Sequence, residues 1–445
     1  MNNQYSIPLL IDQSPVTRFQ WRIFTLCFLI ALFDGFDTQS IAFTGPAIIS
    51  AFNLNSGELA PILTAGIVGM VLGAMILGLL GDKYGRRPAI LGAVLLFGLA
   101  SLATAFAQTT DQILLLRFIA GIGMGGATPL ILSLSAEYGP ANRRGVIMTT
   151  VLMGLPIGAI CGGLLAAKML PVIGWQGIFV VGGVVPLALL IVLFFILPES
   201  LNYLVQQNKV VNREKVVRIL ANILVNPHPK GTTYTVPERD IKTRLSSLFS
   251  AGLARNTLAI WIIYLFNWVA WFMFLSWLPT VLKAGGLSIA QAPMGTVAVN
   301  AVFVLCALPL AMVLPKVNTR LLLLALFIFG ILLSLGLAYS GTNWTLMFIF
   351  AGAAGLGIGG QQIVLNYMVA EAYPTSLRAT ATGWAIALGR FGAIIGSASG
   401  GWFLEHGGTT GFYLALIAPL SIAALGLLLI RPYTAVPAAC MEPAS

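Results

Sequence analysis

The stretch Leu29-Ile-Ala-Leu-Phe-Asp34-Gly-Phe-Asp37-Thr-Gln39-Ser40 puts two carboxylates inside an apolar run that otherwise reads as a membrane-spanning helix. At the centre of such a helix each Asp costs about 2.5–3.5 kcal/mol on translocon scales. A chain keeps such groups where they face a wet or paired interior. The i, i+3 spacing sets Asp34 and Asp37 on one helix face. The stretch therefore predicts a polar pathway through a bilayer.

Composition around it agrees. Of 445 residues, 58% are hydrophobic and only 9% charged, where a soluble domain carries about 25% charged residues. The mean hydropathy is +0.92. The lipid bilayer is thus the first partner. The net charge of +10 invites a nucleic-acid reading, which the positions of the charges argue against. Cys27, Cys161, Cys306 and Cys440 show neither metal-ligand spacing nor a disulfide framework. No metal site is expected. Met1 to Gln20 has no charged n-region with a small-residue cleavage site, so no cleaved signal peptide is expected. The two His lie outside the apolar runs and no nucleophile constellation accompanies them, so the chain does not read as an enzyme.

Apolar runs long enough to span a bilayer recur at 22–44, 61–81, 88–107, 112–136, 146–168, 176–197, 256–281, 291–314, 320–340, 344–369, 380–404 and 410–430. The expected fold is an all-α integral membrane protein with twelve transmembrane helices in two six-helix bundles related by pseudo-two-fold symmetry. The divisions are an N-terminal tail (1–21), a first bundle (22–197), a central loop (198–255), a second bundle (256–431) and a C-terminal tail (432–445). With both termini cytoplasmic, Arg18, Arg22, Lys83, Arg86, Arg87, Arg143, Arg144, Lys316, Arg320, Arg378, Arg431 and the basic residues from Lys209 to Arg255 fall on one side. Lys168 and Lys283 alone fall on the other. That asymmetry is the positive-inside pattern and accounts for the net charge without nucleic acid.

A shift of 234 positions superposes Gly121, Gly123, Gly125 and Gly126 on Gly355, Gly357, Gly359 and Gly360, and Ala136-Glu137 on Ala370-Glu371. It also matches Pro140 with Pro374 and Arg144 with Arg378. Such parallel repeats place a substrate between the halves near mid-membrane. The embedded charges do not repeat: Arg117 falls opposite Ala351, Arg390 opposite Pro156, and Asp34 and Asp37 opposite Trp268 and Trp271. Both glycine series match G-x-G-x-x-G, but neither follows a strand. They predict close helix packing rather than a nucleotide site.

Depth counting brings the charges together. Asp34 lies roughly 18 Å and Asp37 roughly 22 Å from Arg22 at the inner edge. Arg117, about 8 Å below Gln112, is level with Asp37, and Arg390, roughly 18 Å from Arg378, is level with Asp34. A static Asp37–Arg117 pair and a working pathway both fit this layer. On the seventh span Tyr264, Trp268 and Trp271 form an aromatic face that either packs or meets a ligand. Gln361 and Gln362 on span ten and Gln39 on span one supply hydrogen-bonding partners. Asn366 is a further one, or a fastener between helices.

The segment Gly78-Leu-Leu80-Gly-Asp82-Lys83-Tyr-Gly85-Arg86-Arg87 lies between spans two and three. Gly85 permits a tight turn and Asp82 can cap a helix start and pair with an Arg. Glu137 and Glu371 end spans four and ten, each seven residues before an Arg, namely Arg144 and Arg378. Glu137 reads as a proton-coupling relay near this loop or as an interfacial carboxylate pairing with Arg86, Arg144 or Arg378. The counterpart segment Met312 to Arg320 keeps little of the pattern, with Lys316 in the place of Asp82.

The 78–87 segment matches the loop pattern G-x-L-x-D-[RK]-x-G-R-[RK] of the major facilitator superfamily, and the whole chain resembles that superfamily. Within it, Asp34-Gly-Phe-Asp37, Arg117 before the glycine series and Gly389-Arg390-Phe-Gly392 resemble the aromatic acid:proton symporters. Pro198-Glu199-Ser200 is common across the superfamily. The resemblance implies a secondary transporter of the bacterial inner membrane, importing benzoate-, hydroxybenzoate- or phenylpropanoid-type acids with protons by alternating access. It needs no cofactor beyond the proton as coupling ion and is expected to be a monomer. It implicates Asp34, Asp37, Arg117 and Arg390, with Gly78, Asp82, Gly85, Arg86, Arg87, Arg144, Glu371 and Arg378 as a cytoplasmic latch. The substrate carboxylate would pair with Arg390, or alternatively Arg117, and Asp34 or Asp37 would take the proton. A proton-coupled exporter or a symporter of another small organic acid shares this architecture.

Overall fold

The computed structural model describes residues 4–207, 210–224, 233–235, 245–250, 253–341 and 343–430. Arg431, the 432–445 tail, and Lys209, Lys230, Arg239, Lys242 and Arg244 of the central loop lie outside the described residues. The described chain is nearly all helix. Its first half contains α1 (Ile7–Asp12), α2 (Arg18–Phe52), α3 (Ser56–Tyr84), α4 (Arg86–Thr104), α5 (Thr110–Tyr138), α6 (Arg144–Leu152), α7 (Gly154–Met169) and α8 (Trp175–Ile196). Two short helices follow, α9 (Leu201–Gln206) and α10 (Val210–Leu220). The second half contains α11 (Ala254–Ala284), α12 (Ala292–Val313), α13 (Thr319–Tyr339), α14 (Trp344–Ala354), α15 (Gln361–Ala372), α16 (Thr375–Ala415) and α17 (Ile417–Gly426).

Eleven helical segments among the described residues are long and apolar enough to cross a membrane. One of them, Leu377–Leu429, is 53 residues long and is interrupted at Gly408, whose φ of 60° and ψ of −163° are not helical. The helices outrun the apolar windows because polar caps, not hydropathy, end them. Thr17 and Gln20 form a capping box that starts α2 four residues before the window, and left-handed Asn53 stops it eight residues after.

Helix packing follows the glycines. A Cβ on Gly121 would lie 2.1 Å from the Gly66 carbonyl oxygen, and one on Gly125 would lie 2.0 Å from that of Met70. Helices α3 and α5 thus meet backbone to backbone, as the small-residue reading requires. The repeat-related Gly355 meets Val299 in the same way, on α12. Here the second half departs from the first: Gly355–Gly359 form a π-helical turn that joins α14 to α15.

The two halves touch at the end of the molecule remote from the 78–87 loop. Gly401 of α16 packs on the Ser56 carbonyl, Glu405 reaches over Gly57, Gly163 of α7 meets Val297 and Pro293, and Gly45 of α2 meets Thr280. At the loop end Gly78, Gly145 and Gly383 have nothing within 4 Å of a Cβ position. The glycine contacts that join the two halves all lie at the end remote from that loop, which puts the cleft between them on the loop side.

The terminal tail and central loop are more ordered than their polarity predicts. Strand β1 (Gln4–Ser6) pairs in parallel with β2 (Thr233–Thr235). Ile7 and Ile11, one turn apart on α1, are buried in the same apolar cluster as Leu201, Leu204, Val216 and Leu220. The Ala141 amide donates to Asp12 Oδ1 at 2.6 Å. An apolar i, i+4 pair too short to span a membrane is sufficient to seat this segment on the first half.

Candidate functional site

Asp37 and Arg117 form an ion pair in the interior of the first half. Arg117 Nη1 lies 3.3 Å from both carboxylate oxygens of Asp37, and the two residues are 2% and 0% exposed. Helix α4 completes the pair. Ser101 donates to Asp37 Oδ1, while Arg117 Nη2 donates to Ser101 Oγ at 3.2 Å and Thr104 Oγ1 at 3.0 Å. From α8, the Phe179 ring stacks under the guanidinium at 4.7 Å. Four helices thus surround one pair and hydrogen-bond most of its remaining sides, the Arg117 Nε being left without a partner among the described residues. Arg117 is committed to Asp37 and is not open to a ligand in this conformation.

Asp34, one turn towards the loop end, has no guanidinium within ion-pair distance. Its Oδ1 accepts from Thr38 Oγ1 at 3.2 Å and its Oδ2 from Thr128 Oγ1 at 2.6 Å. Arg390 of α16 is partly exposed and has neither a hydrogen bond nor an ion pair among the described residues. Its interaction with Asp34 is coulombic and at longer range. The level predicted for this pair is therefore the level at which the two halves face one another electrostatically.

Beside Arg390 stands the aromatic wall. A Cβ on Gly389 would meet the Trp268 indole at 2.9 Å, so only a glycine lets α16 lie against that ring and set Arg390 next to it. Phe272 stacks on Trp268 with centroids 5.5 Å apart. Trp268 Nε1 donates to Gln362 Oε1 at 2.6 Å, Gln362 Nε2 donates to Asn366 Oδ1 at 3.1 Å, and Tyr264 donates its hydroxyl to the same Asn366 oxygen at 2.7 Å. Helix α15 packs on α11, α12, α13 and α16. The exposed Asn366 and partly exposed Gln362 share its remaining open face, the cleft.

Other predicted members are not brought to this wall. Gln361 is fully buried, bound to Asn267 Nδ2 and donating to the carbonyls of Leu326 and Gly357. It fastens α15 to α11 and satisfies the π turn, because a buried amide must find partners. Trp271 packs instead on Gly359 and Phe303. Gln39 is buried, and its Oε1 has no partner among the described residues.

Glu137 is likewise taken away from the carboxylates of α2. Its Oε1 pairs with Arg86 and its Oε2 accepts from Ser200 Oγ at 2.7 Å. It lies nine residues, about 14 Å, along α5 from Thr128, the residue that touches Asp34. The loop cluster gathers on Glu199 instead. Glu199 Oε1 accepts from the backbone amides of Arg86 at 2.8 Å and Arg87 at 3.0 Å, capping the start of α4. Gly85, at φ 107°, makes that approach possible. Arg87 donates to the Phe194 carbonyl, and Tyr138 donates its hydroxyl to the Glu199 carbonyl at 2.7 Å.

The rest of the predicted latch is looser. Gly78 is open, Asp82 is exposed, and Arg144 Nε is buried without a partner among the described residues. In the second half Arg378 donates to the Tyr373 carbonyl at 3.1 Å and Glu371 is exposed; among the described residues neither makes an ion pair. Sequence reasoning missed Ser101, Thr104, Thr128 and Phe179. Thr128 follows Arg117 by eleven residues, three helical turns, which puts it on the same face and was a readable signal.

A profile of the Major Facilitator Superfamily matches residues 27–339 and 260–439. The chain is 34% identical over 431 residues to the 4-hydroxybenzoate transporter PcaK of Pseudomonas putida, covering 94% of each chain. It is 35% identical to the gallate transporter of the same species, over 94% of this chain and 93% of that one. It is 31% identical to the 3-(3-hydroxy-phenyl)propionate transporter of Escherichia coli K12, over 91% and 92%. Among solved structures, the xylose transporter XylE from E. coli superposes with a TM-score of 0.70 at 19% identity, over 93% of this chain and 98% of that one.

Proposed function

Because this chain belongs to the major facilitator superfamily, we propose that it imports a small aromatic carboxylate together with a proton, by alternating access, across a bacterial inner membrane. The observation that carries the reading is the free Arg390 beside the Trp268–Phe272 stack. It supplies a cation with neither a hydrogen bond nor an ion pair among the described residues, next to an apolar aromatic surface, which is what an aromatic carboxylate needs. The curated relatives named as transporters of 4-hydroxybenzoate, gallate and 3-(3-hydroxy-phenyl)propionate support the same substrate class.

In this reading the long Leu377–Leu429 segment is two spans divided at Gly408. The count is then twelve, in two bundles of six covering residues 22–197 and 256–431. Both termini and the 78–87 loop are cytoplasmic, so the cleft is open to the cytoplasm. Arg390 takes the carboxylate and Asp34 takes the proton. Two threonine hydroxyls hold Asp34, and no arginine neutralises it. Asp37 and Arg117 stay paired and keep α2, α4, α5 and α8 together as one moving body. The Glu199 cluster holds the loop against the first half in the inward-open state. The monomer works alone, with the proton as its coupling ion.

The test is uptake of radiolabelled 4-hydroxybenzoate into proteoliposomes under an imposed pH gradient, acid outside. Accumulation that collapses with a protonophore is the expected result. Uptake indifferent to the gradient overturns proton coupling, and acidification rather than alkalinisation of the external medium overturns import.

A further inference from the structure

The hydrogen bonds on the cleft face of the second half run in one direction, and the direction is imposed from one end. An indole N–H is a donor only. Trp268 Nε1 therefore requires the oxygen of Gln362, which fixes that amide and turns its NH2 towards Asn366. A donor arriving there requires the oxygen of Asn366, and the Tyr264 hydroxyl donates to that oxygen too. This network fixes the orientation of both amides. Asn366 Oδ1 is thus satisfied twice over, while Asn366 Nδ2 has no partner among the described residues. Asn366 is exposed, and this chain of bonds ties it to the Trp268 indole that lies against Gly389.

We propose that Asn366 is a specificity-determining residue: its carboxamide N–H groups donate to an acceptor oxygen on the ring of the acid whose carboxylate Arg390 holds. The inference rests on the aromatic-carboxylate reading above and adds a second point of recognition to it. Counted along the helices, Arg390 lies about 18 Å from Arg378 and Asn366 about 8 Å from Glu371, so the amide sits roughly 10 Å nearer the loop end. A ring with a carboxylate at one end and an oxygen at the other reaches between the two groups, with the Trp268–Phe272 stack alongside. The chain of donors favours a hydroxyl oxygen and disfavours a ring substituent that offers N–H groups and a poor acceptor. Trp268, three hydrogen bonds removed from the substituent, acts as the positioning residue that keeps the donors facing outwards.

The experiment is competition binding on the purified full chain in detergent, with 4-hydroxybenzoate, 4-aminobenzoate and benzoate as probes. Wild type is expected to prefer 4-hydroxybenzoate over the other two by about tenfold, the worth of one hydrogen bond. Asn366→Leu removes that preference, read as the ratio of 4-hydroxybenzoate to benzoate affinity in the same variant. Trp268→Phe keeps the aromatic surface but releases the amides to turn over, so the preference falls although Asn366 is present; this also serves if Asn366→Leu does not fold. A preference that survives both substitutions, or is missing from wild type while benzoate binding still depends on Arg390, overturns the inference and leaves the aromatic-acid reading standing. If folded wild type binds none of the three acids, both fall together.

Discussion

Arg117 and Arg390 are the two arginines that sequence counting places near mid-membrane, and the protein uses them in opposite ways. Arg117 is enclosed by Asp37, Ser101, Thr104 and Phe179 from three other helices. Arg390 stands beside an indole with no hydrogen bond or ion pair among the described residues. The same side chain at similar depth is consumed in one half and available in the other. The difference arises from the neighbours: α4 and α8 bring hydroxyls and a ring to Arg117, whereas α11 brings Trp268 and Phe272 to Arg390. The carboxylates divide in parallel: Asp37 is paired with an arginine, whereas Asp34 accepts from two threonines and makes no ion pair among the described residues.

Five substitutions sharpen or break this comparison. The largest effect is expected from Asp34→Asn, which should abolish accumulation driven by a pH gradient while substrate counterflow persists. Gradient-driven accumulation at the wild-type level would remove Asp34 from proton coupling. Next is Arg117→Ala, which strands the Asp37 carboxylate in the interior and should cost about 3–5 kcal/mol of stability. Thermal unfolding in detergent measures it, and a loss no larger than that of Arg390→Ala would erase the distinction between the two arginines.

Arg390→Ala should leave unfolding nearly unchanged and weaken carboxylate binding by about 1.5–3 kcal/mol, the worth of a charge-assisted hydrogen bond. Unchanged affinity in a binding titration would take Arg390 out of the site. The smallest effects separate the two loop ends. Glu199→Gln weakens the cap on α4 and should lower stability by about 0.5–1 kcal/mol, whereas Glu371→Gln should fall within about 0.5 kcal/mol of wild type. Equal effects would mean that the second half holds a latch equivalent to the first.

What the sequence determined by itself is the set of properties that depend on one helix at a time or on the repeat. Apolar length identified the spanning segments, and the 234-residue shift related the halves. Counting 1.5 Å per residue matched Asp37 to Arg117 before any contact was known. Glycine spacing predicted close helix packing, which α3 and α5 make backbone to backbone. What only tertiary structure decided is rotation about each helix axis and the identity of neighbours. Depth is additive along a chain, but facing is not: Gln361 and Gln362 are adjacent in sequence, and one fastens helices while the other meets the cleft. Trp268 and Trp271 are three residues apart and serve different packings. Glu137 resembles a coupling carboxylate until Arg86 and Ser200 are seen beside it. Asn366, readable as a fastener or a ligand group, acquires a direction only because a tryptophan from another helix can donate and never accept.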